Sequence, residues 1–71
     1  MKAKLNSEAI AQRLRALRGD ETRESVANAL GITMQAVAQY ENGNRIPNDV
    51  IKMAYANLYG KTVDEIFFTI E

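Results

Sequence analysis

Between Thr22 and Gly43 the chain reads TRESVANALGITMQAVAQYENG, and no other segment restricts the fold so tightly. Thr22 is a favourable N-cap, and Val26, Ala27 and Leu30 follow it at helical spacing. Gly31 then ends that helix, where a glycine in the left-handed conformation is the least costly terminator. Two residues on, Thr33 caps again and opens a second helix with Val37 as its inward anchor. Two short helices joined by so tight a turn must cross steeply, which is the helix-turn-helix arrangement. The arrangement projects the first turn of the second helix outward, and here that turn carries Met34, Gln35, Ala38 and Gln39. These side chains are slim, uncharged and partly amide-bearing, a surface suited to the edges of base pairs.

The 71 residues make one small domain, near the size at which a single core is marginal without disulfides, metal or a partner subunit. Cysteine and histidine are absent, which excludes a disulfide framework and the common zinc-finger ligand sets. No apolar run approaches membrane-spanning length, and the start MKAKLNSEAI lacks the apolar stretch of a secretory signal, so a soluble cytoplasmic protein is expected. Apolar residues make up 46%, enough for a packed core. Nine basic side chains cancel nine acidic ones. The distribution is mildly polarised: residues 1–52 hold all the Lys and Arg except Lys61, whereas Asp64, Glu65 and Glu71 lie beyond. Such a domain can present a positive face, but its non-specific DNA binding should be weak and its salt slope modest.

The rest of the chain reads as three further helices around the pair, with no internal repeat. Ser7 can cap a first helix in which Ile10, Leu14 and Leu17 line one face, ending near Gly19. Arg13 and Arg15 fall on its flanks and read as a solvated face, while Arg18 lies close to the apolar stripe. The second and third helices cover about 23–30 and 34–41. ENGNRIP is a turn, since Asn42-Gly43 favours positive backbone angles and Pro47 biases Ile46 away from helix. Asn48 can cap a fourth helix with Val50, Ile51, Ala54, Tyr55 and Leu58 as its apolar stripe, ending at Gly60. Thr62 caps a last short helix, VDEIFF, with Asp64 and Glu65 in its first turn. The β-prone tail FFTIE and the alternating start KAKL are able to pair as a short ribbon.

With five helices placed and the third exposed, the chain resembles the Cro/lambda-repressor-like helix-turn-helix (XRE) family. RLRALRG (13–19), TRESVANALGIT, QAVAQYENG (35–43), RIPNDVIKMA and YGKTVDEIF carry the resemblance, which spans roughly residues 7–67 in order and spacing. There are two departures. The loop between the first two helices is shorter than in many members and has Glu21 where an apolar residue often plugs the core. Position 34 is Met, where a polar or basic side chain is commoner. The resemblance implies an all-α, five-helix DNA-binding domain over 1–71, with the helix-turn-helix proper at 22–42.

It also implies roles for individual residues. Met34, Gln35, Ala38 and Gln39 occupy base-facing positions, and Arg23 a position that contacts a phosphate or reaches a base. Thr33, Tyr40, Asn42 and Arg45 fall where members bind the DNA backbone, with Asn44 beside them in the same turn. Independently of any family, Gln can bridge adenine N6 and N7, Met and Ala can pack on a thymine methyl, and helix N-termini offer N–H groups to phosphates. The alternatives are a solvated face for Gln35 and Gln39, core filling or a subunit contact for Met34, and turn decoration for Asn44 and Arg45. Tyr55 reads as core and Tyr40 as partly exposed. Arg18 and Glu41 resemble an Arg–Glu pair tying the first helix to the end of the third. Glu41 follows Val37 by one turn, so its acid lies near the inward face and needs a partner there.

Without His or Cys there is no Ser-His or Cys-His pair, and neither a P-loop nor a dinucleotide fingerprint is present, so no catalytic residue, metal or cofactor is expected. The expected activity is recognition of a double-stranded DNA operator by a transcriptional repressor. The other reading is an antitoxin or antirepressor that uses the fold to bind a protein antagonist. A homodimer on an inverted repeat is expected, meeting through the C-terminal helix and the chain ends, because the run IFFTI exceeds what so small a core needs.

Overall fold

The computed structural model of the protein describes residues 3–70. A short strand β1 (Ala3–Leu5) leads into helices α1 (Ser7–Arg18), α2 (Arg23–Leu30), α3 (Met34–Glu41), α4 (Asp49–Tyr59) and α5 (Val63–Phe67) and a closing strand β2 (Phe68–Ile70). The two strands pair antiparallel, Ala3 opposite Ile70 and Leu5 opposite Phe68, so the expected terminal ribbon forms. The last helix stops one residue earlier than VDEIFF suggested, because Phe68 is already extended and starts β2.

Every helix begins on a side-chain cap that satisfies one of its orphan N–H groups. Thr22 accepts from Ser25 N, Thr33 from Ala36 N and Asn48 from Ile51 N, each at about 3 Å. In α1 the cap is Asn6, which accepts from Ala9 N, rather than Ser7. A carboxamide one residue upstream does the work expected of the hydroxyl. Gly31 ends α2 in the left-handed conformation, φ 71°, as the turn requires. Gly43, at φ 77°, brings the turn after α3 against α1, where a Cβ would stand 3.5 Å from the Ser7 carbonyl oxygen.

Ile10 and Leu14 of α1, Val26 and Ala27 of α2, Val37 of α3, Tyr55 and Ala56 of α4, and Ile66 and Phe67 of α5 close one core. Tyr55 sits at its centre, edge-on to Tyr40 and Phe67 and stacked on Tyr59, with ring centroids 6.0–6.2 Å away. Ile66 and Phe67 are fully buried and Phe68 packs partly buried against them, so these residues complete this core instead of standing surplus to it. The side chains of Thr69 and Ile70, the rest of that run, lie outside the described residues. The α4 stripe also differs from expectation: Val50 is 73% exposed and Leu58 lies at the margin. Five residues from Tyr55 at 100° each puts Val50 roughly 140° around the helix, on the far side. The inward stripe is Ile51, Lys52, Tyr55, Ala56 and Tyr59. Lys52 belongs to it because its stem covers apolar surface while its ammonium sits 5.7 Å from the centre of the Phe68 ring.

Candidate nucleic-acid interface

α3 is an eight-residue helix with opposite surroundings at its two ends. At the C-terminal end Glu41 is 0% exposed. A buried carboxylate is costly unless its oxygens are filled by charged donors. Here Arg18 Nε lies 3.0 and 2.8 Å from Oε1 and Oε2, and Arg23 Nε lies 3.0 Å from Oε1. Arg15 adds a third tie, donating from Nη1 to the Glu41 main-chain carbonyl, where a cation also complements the helix C-terminus. The hydrogen bond to Glu41 holds the Arg18 guanidinium above its usual pKa. The expected Arg18–Glu41 pair is present, and two further arginines join it.

Arg13 and Arg15 are therefore more than the solvated face expected, although Arg15 is exposed. Arg15 clamps α3, and Arg13 donates to the carbonyls of Ile66 and Phe68 at 3.0 and 3.3 Å, tying α1 to the end of α5. Sequence reasoning missed these roles, although Arg15 and Arg18 stand three residues apart and so share one side of α1.

The N-terminal end of α3 is open. Met34 is 52% exposed, Gln35 is exposed, and Ala38 and Gln39 are half-buried on the same side. Thr33, Gln35, Ala36, Gln39 and Arg45 line one concavity of about 370 Å³, which brings two expected base readers together with two expected backbone contacts. The turn after α3 is fixed to the helix, because the N–H groups of Asn44 and Arg45 both donate to the Gln39 carbonyl. Asn42, Asn44 and Arg45 stand exposed on that turn.

Two residues stand apart from this group. Tyr40 is only 8% exposed and its ring is part of the Tyr55 cluster, which corrects the expectation of a partly exposed side chain. Tyr40 follows the buried Val37 by three residues and so shares the inward side of the helix. Arg23 is partly exposed but tethered through Nε to Glu41, so only the outer edge of its guanidinium is left for another partner.

Residues 9–66 match the family model described as a helix-turn-helix domain. The chain belongs to that family. The matched span takes in α2 and α3 with the turn between them, and the helices packed around them. Among curated proteins, none matches the chain. Within the described residues of this helix-turn-helix domain, no group of acidic side chains is placed to hold a metal ion, and no helix is long and apolar enough to cross a membrane.

Proposed function

We propose that the protein is a transcriptional regulator, a repressor that acts in the cytoplasm and binds an inverted-repeat DNA operator as a homodimer. The observation that carries this reading is the outward end of α3, where Gln35, Gln39, Thr33 and Arg45 share one concavity beside exposed Met34. Two amides can read base edges while an arginine and a capped helix N-terminus hold phosphates. Gln35 and Gln39 are the bidentate readers, with Met34 and Ala38 against thymine methyls. Thr33, Asn42, Asn44 and Arg45 hold the backbone, and Arg23 reaches DNA with its outer edge only. Tyr40 supports α3 from beneath.

One α3 reads only a few base pairs, and a domain with no net charge has little bulk attraction to add. Two copies on a twofold axis double the specific contacts, with half-sites about 34 Å apart. Selection of bound sites from randomised duplex, with the purified protein at a stated salt concentration, tests the reading. A two-armed site with one helical turn between its arms supports it, and failure to enrich any sequence refutes it.

A second reading, an antitoxin or antirepressor that binds another protein, is favoured by a different observation. Val50 and Met53 are 73% and 65% exposed on α4. Retention of a protein partner with no retardation of DNA would select it.

A further inference from the structure

The outer face of α4 is an exposed apolar feature that the core and the DNA-facing end of α3 leave unused. Val50, Met53 and Asn57 lie roughly 140–200° around the helix from Tyr55. The face has two unlike halves. Val50 and Met53 form a ridge at its N-terminal half. At its C-terminal half lies a concavity of about 470 Å³, lined by Met53, Asn57, Gly60, Lys61 and Val63. It is open: a Cβ at Gly60 would meet no atom within 4 Å. The charges are also split, with exposed Asp49 at one end of the helix and exposed Lys61 just past the other. Among the described residues Asp49 has only a long contact of 3.6 Å to Lys52.

A ridge at one end, a hollow at the other and opposite charges at the two ends make a surface complementary to itself turned by 180°. That is the condition for an isologous twofold contact. We propose that a second copy of the chain docks here, with the two α4 helices antiparallel. The ridge of each copy sits in the hollow of the other, and Asp49 stands opposite Lys61 of the partner subunit. The same register places Met53 against Asn57 of the partner subunit. The proposal rests on the homodimer reading above and gives it an interface on α4 in place of the chain ends. The face is small. A standard interface takes about 800 Å² from each partner, roughly a sixth of this domain's 4521 Å² surface. An eleven-residue helix, about 16 Å long, covers less, so the dimer is a micromolar one that DNA completes.

Sedimentation equilibrium of the full chain tests this, with circular dichroism to verify that each variant is folded. The wild type should dimerise in the micromolar range, and Met53→Glu should raise the dimer Kd by about tenfold or more. Asp49→Lys and Lys61→Asp should each weaken self-association, because each homodimer then opposes like charges twice. An equimolar mixture of those two variants should recover dimer, since in the mixed pair both contacts are again between opposite charges. A wild type still monomeric at about 100 µM and on operator DNA overturns the proposal and leaves the face to a foreign protein. A dimer indifferent to Met53→Glu, or a mixture that fails to recover, overturns it as well. Failure of the DNA reading is distinguishable: the dimer would respond to these substitutions while the site selection enriched nothing.

Discussion

The two ends of α3 are seven residues apart and built on opposite principles. The C-terminal end is fixed from three sides: Arg15 and Arg18 reach it from α1 and Arg23 from α2, around a carboxylate that no water touches. The N-terminal end has a threonine cap with Met34 and Gln35 exposed, and Gln39 half-buried one turn on. A helix this short does not hold itself together in water, so its direction must come from tertiary anchors. Fixing one end is what allows the other to be slim, uncharged and exposed without losing its aim. The difference separates residues that orient the helix from residues that would read through it, and each set has its own failure.

The largest effect is expected at the fixed end. Glu41→Ala and Arg18→Ala should each cost about 3 kcal/mol or more, because one leaves a cavity among arginines and the other a buried carboxylate with half its donors. For a domain of this size that is a fall in melting temperature of roughly 10–25 °C. Replacing both residues with apolar ones of similar volume should cost much less, since no charge is then stranded. Arg23→Ala should be milder, as Arg18 still holds both carboxylate oxygens. If Glu41→Ala and Arg18→Ala melt with the wild type, the fixed end is not what it is argued to be.

At the open end the effects should fall on DNA binding and spare stability. Gln35→Ala and Gln39→Ala are expected to lower affinity for the selected operator by about 1–3 kcal/mol each, with binding to random duplex nearly unchanged. Arg45→Ala should weaken binding to every sequence and flatten the salt slope by about one unit. Titrations of operator and random duplex at several salt concentrations separate the two profiles. Identical profiles for Gln35→Ala and Arg45→Ala would erase the distinction between reader and clamp.

Much of this was legible in the residues. Five helix boundaries from 22 to 60 follow from Thr22, Gly31, Thr33, Asn48 and Gly60, each of which acts locally and leaves its mark in one or two positions. The Arg18–Glu41 pair was legible as well, since an acid one turn after a core valine needs a cation. What the residues did not disclose depends on long-range geometry. Nothing local in Arg13 or Arg15 tells a solvated arginine from one capping the carbonyls of a distant helix. Tyr40 was misplaced because its neighbour Glu41 looked like a mark of exposure, when the acid itself is buried. On α4 a β-branched apolar residue, Val50, drew the stripe to the wrong side, and Lys52 hid the true one by being charged.

A smaller effect is expected beside the fixed end. The Tyr55 and Tyr59 hydroxyls are buried with no hydrogen-bond partner among the described residues. Burial raises both phenol pKa values, with Tyr59 adding to the shift at Tyr55 and Glu41 contributing at both. For a group whose folded pKa is raised, the stability is fully present below the unfolded value, about 10 for tyrosine, and is lost as pH rises from there toward the native value. The melting temperature should therefore drop steeply above about pH 10. Tyr55→Phe should blunt that drop, at a cost at neutral pH within about 1 kcal/mol because no hydrogen bond is lost. An unchanged alkaline limb in Tyr55→Phe would show that this phenol does not control it.

The smallest effect concerns a helix end that contrasts with the open end of α3. The first turn of α3 has no acid, so only Thr33 caps it and its remaining N–H groups stay available. α5 closes its own start: Thr62 accepts from Glu65 N at 3.1 Å, and the Thr62 N–H donates to Glu65 Oε1 at 2.9 Å. That backbone hydrogen bond is the main cause holding the Glu65 carboxyl below its usual range, with the threonine hydroxyl adding to it. A depressed folded pKa contributes stability above the unfolded value, about 4.3 for glutamate, and loses it as pH falls through the native one. Glu65→Gln keeps an acceptor at the same position but cannot titrate. The wild type should therefore melt slightly higher than the variant at neutral pH, and the gap should close as both are taken to about pH 3. Affinity for DNA should not change at neutral pH, since α5 is no part of the α3 end. A gap that persists in acid would show that the carboxylate's charge is not what the cap uses, and a loss of DNA affinity would mean that the two helix starts are not independent.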